Sequence, residues 1–379
     1  MPVEPPPSLW VVLREWGRIG CLGFGGPPTH IAMLRTLCVE RRDWLSAREF
    51  ADAIAACNLL PGPASTQLAI FCAWRLRGWR GALVGGAAFI VPGLILILAL
   101  AALFLTGTPA GWVRGAGAGA GAAVAAVAVH AGAGLVPPSW QRGRTTGRGW
   151  WTGYVVLGAA AAALLGPWLV LVLLGCGVAE LARRGIRPVA GMVPLGVMGG
   201  TGVLASVAWV AIKVGALSYG GGFVIIPLMR GDAVGHYHWL TDSQFLNAVA
   251  LGQITPGPVV QTVAVVGYAA AGVVGGVLAA VVAFSPSFLF VLFGARRFDS
   301  LRANPSVRAF LDGAGPAAIG AIFGSAVPLL LALSRPWQFA VAAGAAVLLF
   351  ALRRAVVTTL LVAGGVGVVL ALSGVALPH

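Results

Sequence analysis

Charge is what this chain has least of: Asp, Glu, Lys and Arg make up 9% of its 379 residues, and Lys213 is its single lysine. With 59% hydrophobic residues and a mean hydropathy of +0.91, there is too little polar side chain to cover a soluble globule. The composition defines a polytopic membrane protein. Cysteine is scarce too. The five present (Cys21, Cys38, Cys57, Cys72, Cys176) are odd in number and without CxxC spacing, which supports neither a disulfide framework nor a zinc site; they are read as small apolar fillers. The sequence has no Walker-type GxxxxGK[ST] run, which disfavours ATP-driven pumping by this chain. It also has no cofactor motif, no metal-ligand cluster and no nucleophile with its base, so neither an enzyme nor a cofactor is expected. Met1 to Ser8 is proline-rich with Glu4 and lacks the basic opening of a secretory signal, so the first membrane helix is expected to serve as the signal. The net charge of +14 is spread over short connections and forms no basic groove, so nucleic acid is not an expected partner.

What the chain does contain is a duplication. Residues 20–63 return without a gap 195 residues later as 215–258, with 15 identities in 44 aligned positions. Both copies carry Gly25-Gly26/Gly220-Gly221, Arg35/Arg230, Trp44-Leu45/Trp239-Leu240, Phe50/Phe245 and a closing Pro61-Gly62-Pro63/Pro256-Gly257-Pro258. Glycine and proline breakers inside apolar half-chains read as a transporter with interrupted helices. The fold class is therefore an all-α polytopic membrane protein whose two homologous halves, 1–190 and 191–379, form an inverted repeat with interrupted and re-entrant helices. Arginine-rich connections flank the apolar segment 50–73 on both sides, at 35–48 and 74–80. Short arginine-rich loops stay cytoplasmic, so that segment must fold back at Pro61-Gly62-Pro63, where proline removes donors and glycine permits reversal. Apolar segments are read at about 10–34, 50–73, 82–106, 113–136, 151–165 and 168–182, with six counterparts in the second half. Arginine counting makes the halves upside down and places both termini outside the cytoplasm, with the helix count around 186–204 left open.

Phe24-Gly25-Gly26-Pro27, Asn58-Leu59-Leu60-Pro61-Gly62-Pro63 with Gln67, Gly220-Gly221-Gly222 and Gln253-Ile254-Thr255-Pro256-Gly257-Pro258, followed by Phe89-Ile90-Val91-Pro92 and Phe284-Ser285-Pro286, resemble the paired signatures of the chromate ion transporter family, in its long, two-repeat form. The resemblance spans nearly the whole chain. It implies a multi-pass protein of the bacterial inner membrane that exports chromate, driven by the membrane proton or ion gradient, and confers chromate resistance, with sulfate as another oxyanion linked to the family. The expected partners are chromate or a related oxyanion and the lipid bilayer, with a homodimer left open.

Independently of that resemblance, an oxyanion in a low-dielectric cavity needs many donors, and helix N-termini supply both N–H groups and a positive dipole end. The candidate substrate-binding residues are Gly25, Gly26, Gly220, Gly221 and Gly222; Pro61, Gly62, Pro63, Pro256, Gly257 and Pro258; the amides and hydroxyls Asn58, Thr66, Gln67, Gln253 and Thr262; and the repeated arginines Arg35 and Arg230, as planar forks. Ser65 and Gln261 add further donors beside the breaks. Tight helix crossing remains the alternative for the glycines, interhelical hydrogen bonding for the polar groups and headgroup anchoring for the arginines. The run Gly115, Gly117, Gly119 and Gly121 is assigned to crossing alone. His30, replaced by Ile225 in the second copy, and Asp52, replaced by Asn247, are proton-coupling candidates. Glu49 is expected to balance Arg48, and Glu180 to pair with Arg183 and Arg184. An anion channel or a non-transporting scaffold is the competing reading.

Overall fold

The computed structural model describes residues 7–58, 62–105, 109–186, 202–218, 223–294 and 304–378, and among these every regular element is a helix. Four stretches are long and apolar enough to cross a membrane: they lie within Ala64–Leu105, Gly111–Gln141, Val259–Gly294 and Pro305–Leu331.

Each half opens on an interrupted helix. α1 (Leu9–Leu22) stops at a break where Gly25 and Gly26 take φ of 101° and 75°, a left-handed conformation that glycine alone adopts without strain. The chain resumes as α2 (Pro27–Arg35), whose two leading prolines suit the first turn of a helix, and runs on as a π-helical turn to Arg41. This second piece returns along the first: Arg42 donates to Glu15 at 3.0 Å, and Trp44 stacks on Trp16 with centroids 6.3 Å apart. A single segment over 10–34 is thus corrected to a broken, returning pair. α8 (Val203–Leu217) and α9 (Ile225–Arg230), with its π turn to His236, repeat the arrangement, and Lys213 holds Asp232 across the pair.

α3 (Ala47–Cys57) and α10 (Asp242–Ile254) each begin with a capping box, Ser46 with Glu49 and Thr241 with Gln244. The Glu/Gln difference between the halves therefore falls on two residues with the same capping task. Glu49 meets Arg75 at 2.9 Å rather than Arg48. Its hydrogen bond from the Ser46 backbone, and then Arg75, hold the carboxyl below its usual range. That ion pair also sets the start of α3 beside residue 75 of α4 (Ala64–Leu105), which defines the re-entrant hairpin through the first Pro-Gly-Pro.

α4 and α11 (Thr262–Gly294) are themselves hairpins, reversing at Arg77-Gly78 and Ala271-Gly272, where the glycines take φ of 59° and 62°. A Cβ at Gly85 would strike Ala73, and one at Gly275 would strike Gly267, contacts that only antiparallel arms make. The second arms, 79–105 and 273–294, are about 40 Å and 33 Å long and cross antiparallel, with Gly86 on Phe288 and Gly276 on Leu98. This crossing turns the halves upside down and brings Phe89-Ile90 level with Phe284-Ser285 near the pseudo-twofold axis.

The remaining helices are exchanged between halves. α5 (Gly111–Thr146) packs on α14 (Val356–Leu372), where a Cβ at Gly115 would meet the Gly367 carbonyl and one at Gly119 that of Ala363. This is the tight crossing expected of the glycine run. α12 (Pro305–Leu331) packs on α6 (Arg148–Leu164) through Gly320 against Val155, and on α7 (Leu169–Arg183) through Gly313 against Cys176. At the end of α7, the enclosed Glu180 binds Arg183 and Arg184, each at 2.6 Å. α13 (Pro336–Ala346) completes the set.

One topological expectation changes. α1 starts beside the beginning of α4's second arm, since Gly85 abuts Val12 and Trp16 while Gly20 abuts Ala88 and Phe89. Residues 7–9 therefore lie on the arginine-rich face with 35–48 and 74–80, because the glycine break sends the chain back instead of across. The carboxyl-terminal residues lie on the opposite face, where Arg114 at the start of α5 donates to the Pro378 carbonyl at 3.3 Å. The connection over 187–201 lies outside the described residues. Single cysteines at Ser8 and Arg77 on a cysteine-free background are expected to label from the arginine-rich face and one at Ser243 from the other. Labelling of Ser8→Cys together with Ser243→Cys would refute the fold-back.

Candidate anion site at the helix breaks

α2, α4 and α11 all start at breaks: after Gly26, after Pro63, and after the short turn Val259–Gln261 that follows Pro258. Each start presents about half a positive charge, so three supply about 1.5 charges without a buried cation.

The breaks of the two halves meet. The Gly257 N–H donates to the Gly23 carbonyl at 3.1 Å, and Gly26 faces Val259. In the other direction, a Cβ at Gly62 would stand 3.3 Å from Ser287 Oγ and 3.5 Å from the Gly215 carbonyl. Gly93 packs against the Pro256 carbonyl and the Gln261 side chain. Gly62 and Gly257 take φ of 118° and 99°, so neither reversal accepts a side chain without strain. Pro61, Gly220, Gly221 and Gly222 lie outside the described residues.

His30 joins the two breaks. Its Nε2 lies 2.8 Å from the Gly23 carbonyl and its Nδ1 lies 3.4 Å from Ser65 Oγ. A carbonyl only accepts, so Nε2 carries a proton. The Gly23 carbonyl thus receives both His30 and Gly257, and the ring also meets Phe89 edge-on at 5.0 Å.

Ser65, Thr66, Gln67, Ser218, Gln253, Gln261, Thr262 and Ser287 are buried. Thr262 Oγ1 donates to the Val259 carbonyl at 2.8 Å, and Gln261 Nε2 to the Ile90 carbonyl at 2.7 Å. Among the described residues, five enclosed atoms without a partner lie around the breaks, Thr66 Oγ1, Ser218 Oγ, Gln253 Nε2, Gln261 Oε1 and Ser287 Oγ, while a further one, His130 Nδ1, lies on α5. Each such group costs about 1–3 kcal/mol, and all five flank the two Pro-Gly-Pro reversals or the second glycine break. Ser287 was not singled out from sequence. Its signal was a hydroxyl at the repeat position of Pro92, next to Pro286.

Other candidates stand apart. Asn58 is exposed at the end of α3, and Asp52 is half-buried on that helix. The arginine expectation is corrected: Arg35 lies at the surface 3.4 Å from Glu40, and Arg230 places Nε and Nη2 at 3.0 and 2.6 Å from Asp242 Oδ1. Both sit at helix ends, where Asp242 occupies the fork of Arg230 and Arg35 makes a single exposed contact with Glu40. Arg35→Lys is expected to leave chromate Km within about twofold, because exposed pairs contribute little. Arg230→Lys should lower the amount of folded protein more than it alters Km, and a tenfold Km increase in either variant would return the arginines to the site.

The halves also differ in closure. α10 is packed on α5, with Asn247 on Gly117 and Leu246 on Gly121, while Ala51 and Asn58, the counterparts of the buried Leu246 and Gln253, are exposed. The cradle is thus more open on the α3 side than on the α10 side.

Inverted halves whose broken helices converge are the architecture of a membrane transporter. The "Chromate transporter" family profile matches residues 10–181 and 205–369, and the chain belongs to that family. It is 31% identical over 340 residues to a chromate transport protein of Cupriavidus metallidurans, covering 86% of this chain and 83% of that protein. It is 30% identical to a probable chromate transport protein of Synechococcus elongatus (86% of each chain) and 29% identical to a chromate transport protein of Pseudomonas aeruginosa (86% and 82%). No solved structure matches.

Proposed function

We propose that this chain is a secondary transporter that exports chromate across a bacterial inner membrane, with 1–190 and 191–379 as its two repeats, and that other tetrahedral oxyanions such as sulfate compete for the same cradle. The observation that carries this reading is the set of enclosed, partnerless donors around the meeting breaks, Thr66 Oγ1, Ser218 Oγ, Gln253 Nε2 and Ser287 Oγ, each of which can donate to an oxyanion. The names of the relatives supply chromate as the cargo. Direction follows from electrostatics: with the cytoplasm negative, moving two negative charges outward releases about 4.6 kcal/mol per 100 mV, so export is downhill electrically. The greater exposure on the arginine-rich side suits a state that receives cargo from the cytoplasm.

Labelled chromate counterflow in proteoliposomes, competed by sulfate, molybdate and phosphate, tests the reading. Saturable counterflow, together with accumulation against a chromate gradient under an imposed potential or proton gradient, is expected. Flux that only dissipates a gradient would make the protein a channel, and no chromate flux would remove the proposal.

A further inference from the structure

Among the described residues, an ion pair lies inside the apolar body away from the helix end where Glu180 holds its arginines. Lys213 Nζ lies 2.6 Å from Asp232 Oδ2, with the two side chains 17% and 8% exposed. Depth follows from packing. Gly215, two residues further along α8, abuts the Ala283 carbonyl, next to the level at which the two long arms cross. The first half has no such pair, since the corresponding positions hold Arg18 and Leu37, and its own clasp, Glu15 with Arg42, is more exposed. A buried ion pair seldom stabilises a fold more than apolar packing would, and ionisable groups at this depth are rare outside pathways for ions and protons.

The surroundings isolate the pair. α11, which packs along α8, has Tyr268 as its only ionisable side chain. On the α9 side, Arg230 is committed to Asp242, and His236 is exposed one turn beyond Asp232. Residues 162–168, near α9, are uncharged. Lys213 also has a second partner: Nζ lies 5.4 Å from the centroid of the Trp209 ring, a cation–π contact that persists without the carboxylate. The pair bridges the two arms on either side of the second glycine break, and Gly215 borders the cradle at Gly62.

We propose that Lys213 and Asp232 form a proton-linked site that couples oxyanion movement to proton movement, an inference that rests on the transporter reading above. A proton from the face where α10 begins adds to the Asp232 carboxylate and breaks its contact with Nζ. Lys213 keeps its own proton and rests on Trp209, and the α8 and α9 arms are released from each other. Loss of that proton to the opposite face restores the clasp.

The test compares counterflow, which needs no coupling, with chromate accumulation driven by an imposed pH gradient, using full-length protein in proteoliposomes. Single neutral variants leave a lone buried charge, so the informative variant is Lys213→Gln/Asp232→Asn, with Lys213→Met/Asp232→Leu as a packed second version. Both are expected to keep counterflow within about threefold while pH-driven accumulation falls at least about tenfold, and Asp232→Glu should retain both. Double variants that keep pH-driven accumulation overturn the proposal, as do double variants that reach the membrane but lose both activities, which would make the pair a structural clasp. Wild-type protein with counterflow but no pH-driven accumulation overturns this inference and leaves the transporter reading standing. Absence of both in the wild type removes that reading as well.

Discussion

Replacing Gly62 or Gly257 with leucine is expected to abolish chromate transport, by at least about 100-fold, while the protein still reaches the membrane. Both residues hold left-handed φ, 118° and 99°, where a non-glycine residue costs about 1–3 kcal/mol. Strain is the smaller part. A Cβ at Gly62 would lie 2.6 Å from Gln67 Nε2, and one at Gly257 would lie 3.2 and 3.3 Å from the Gln261 amide atoms, so added bulk displaces the side chains that line the cradle. Gly78 and Gly272 provide the control: they are also left-handed, at 59° and 62°, but a Cβ at either would have nothing within 4 Å. Gly78→Ala and Gly272→Ala carry similar backbone strain away from the cradle and should transport at near wild-type rates. Equal losses at all four positions would show that strain, not the cradle, is being measured.

The second large effect is expected from Thr66→Val/Ser287→Ala, in which stability should rise while affinity for chromate falls. Both hydroxyls are enclosed and unpartnered. Removing them spares the ligand-free protein the cost of two desolvated groups, about 1–3 kcal/mol each, so its thermal unfolding midpoint should rise. Chromate would lose two hydrogen bonds to a charged acceptor, and its Km should increase by at least about tenfold. A lower melting point with unchanged Km would make these hydroxyls packing elements.

Several features were legible in the sequence because they depend on local chemistry repeated in register. Scarce charge and long apolar runs made it a helical membrane protein. The 195-residue spacing exposed two copies, and Pro-Gly-Pro between two arginine-rich flanks required a reversal, because no continuous helix returns to the face it left. The glycine pair at 25–26 was visible too, but its consequence was not. A break reads the same whether the chain carries on across the membrane or turns back. Contacts distant in sequence, Arg42 on Glu15 and Trp44 on Trp16, decide between these and move the amino-terminal side.

The sequence by itself determined the class, the duplication and the positions of the breaks, since each follows from side-chain polarity and backbone freedom residue by residue. Only the tertiary structure decided which break faces which. Gly23 meets Gly257 and Gly62 meets Ser287 because antiparallel crossing of two long arms exchanges partners between halves, and no pattern within one copy encodes that exchange. It also separated the repeated arginines from the cradle: a repeated Arg has the same spacing whether its fork points at a cavity or at Asp242. The Lys213–Asp232 contact is of the same kind, its residues 19 apart in the chain and joined by the return of α9 along α8.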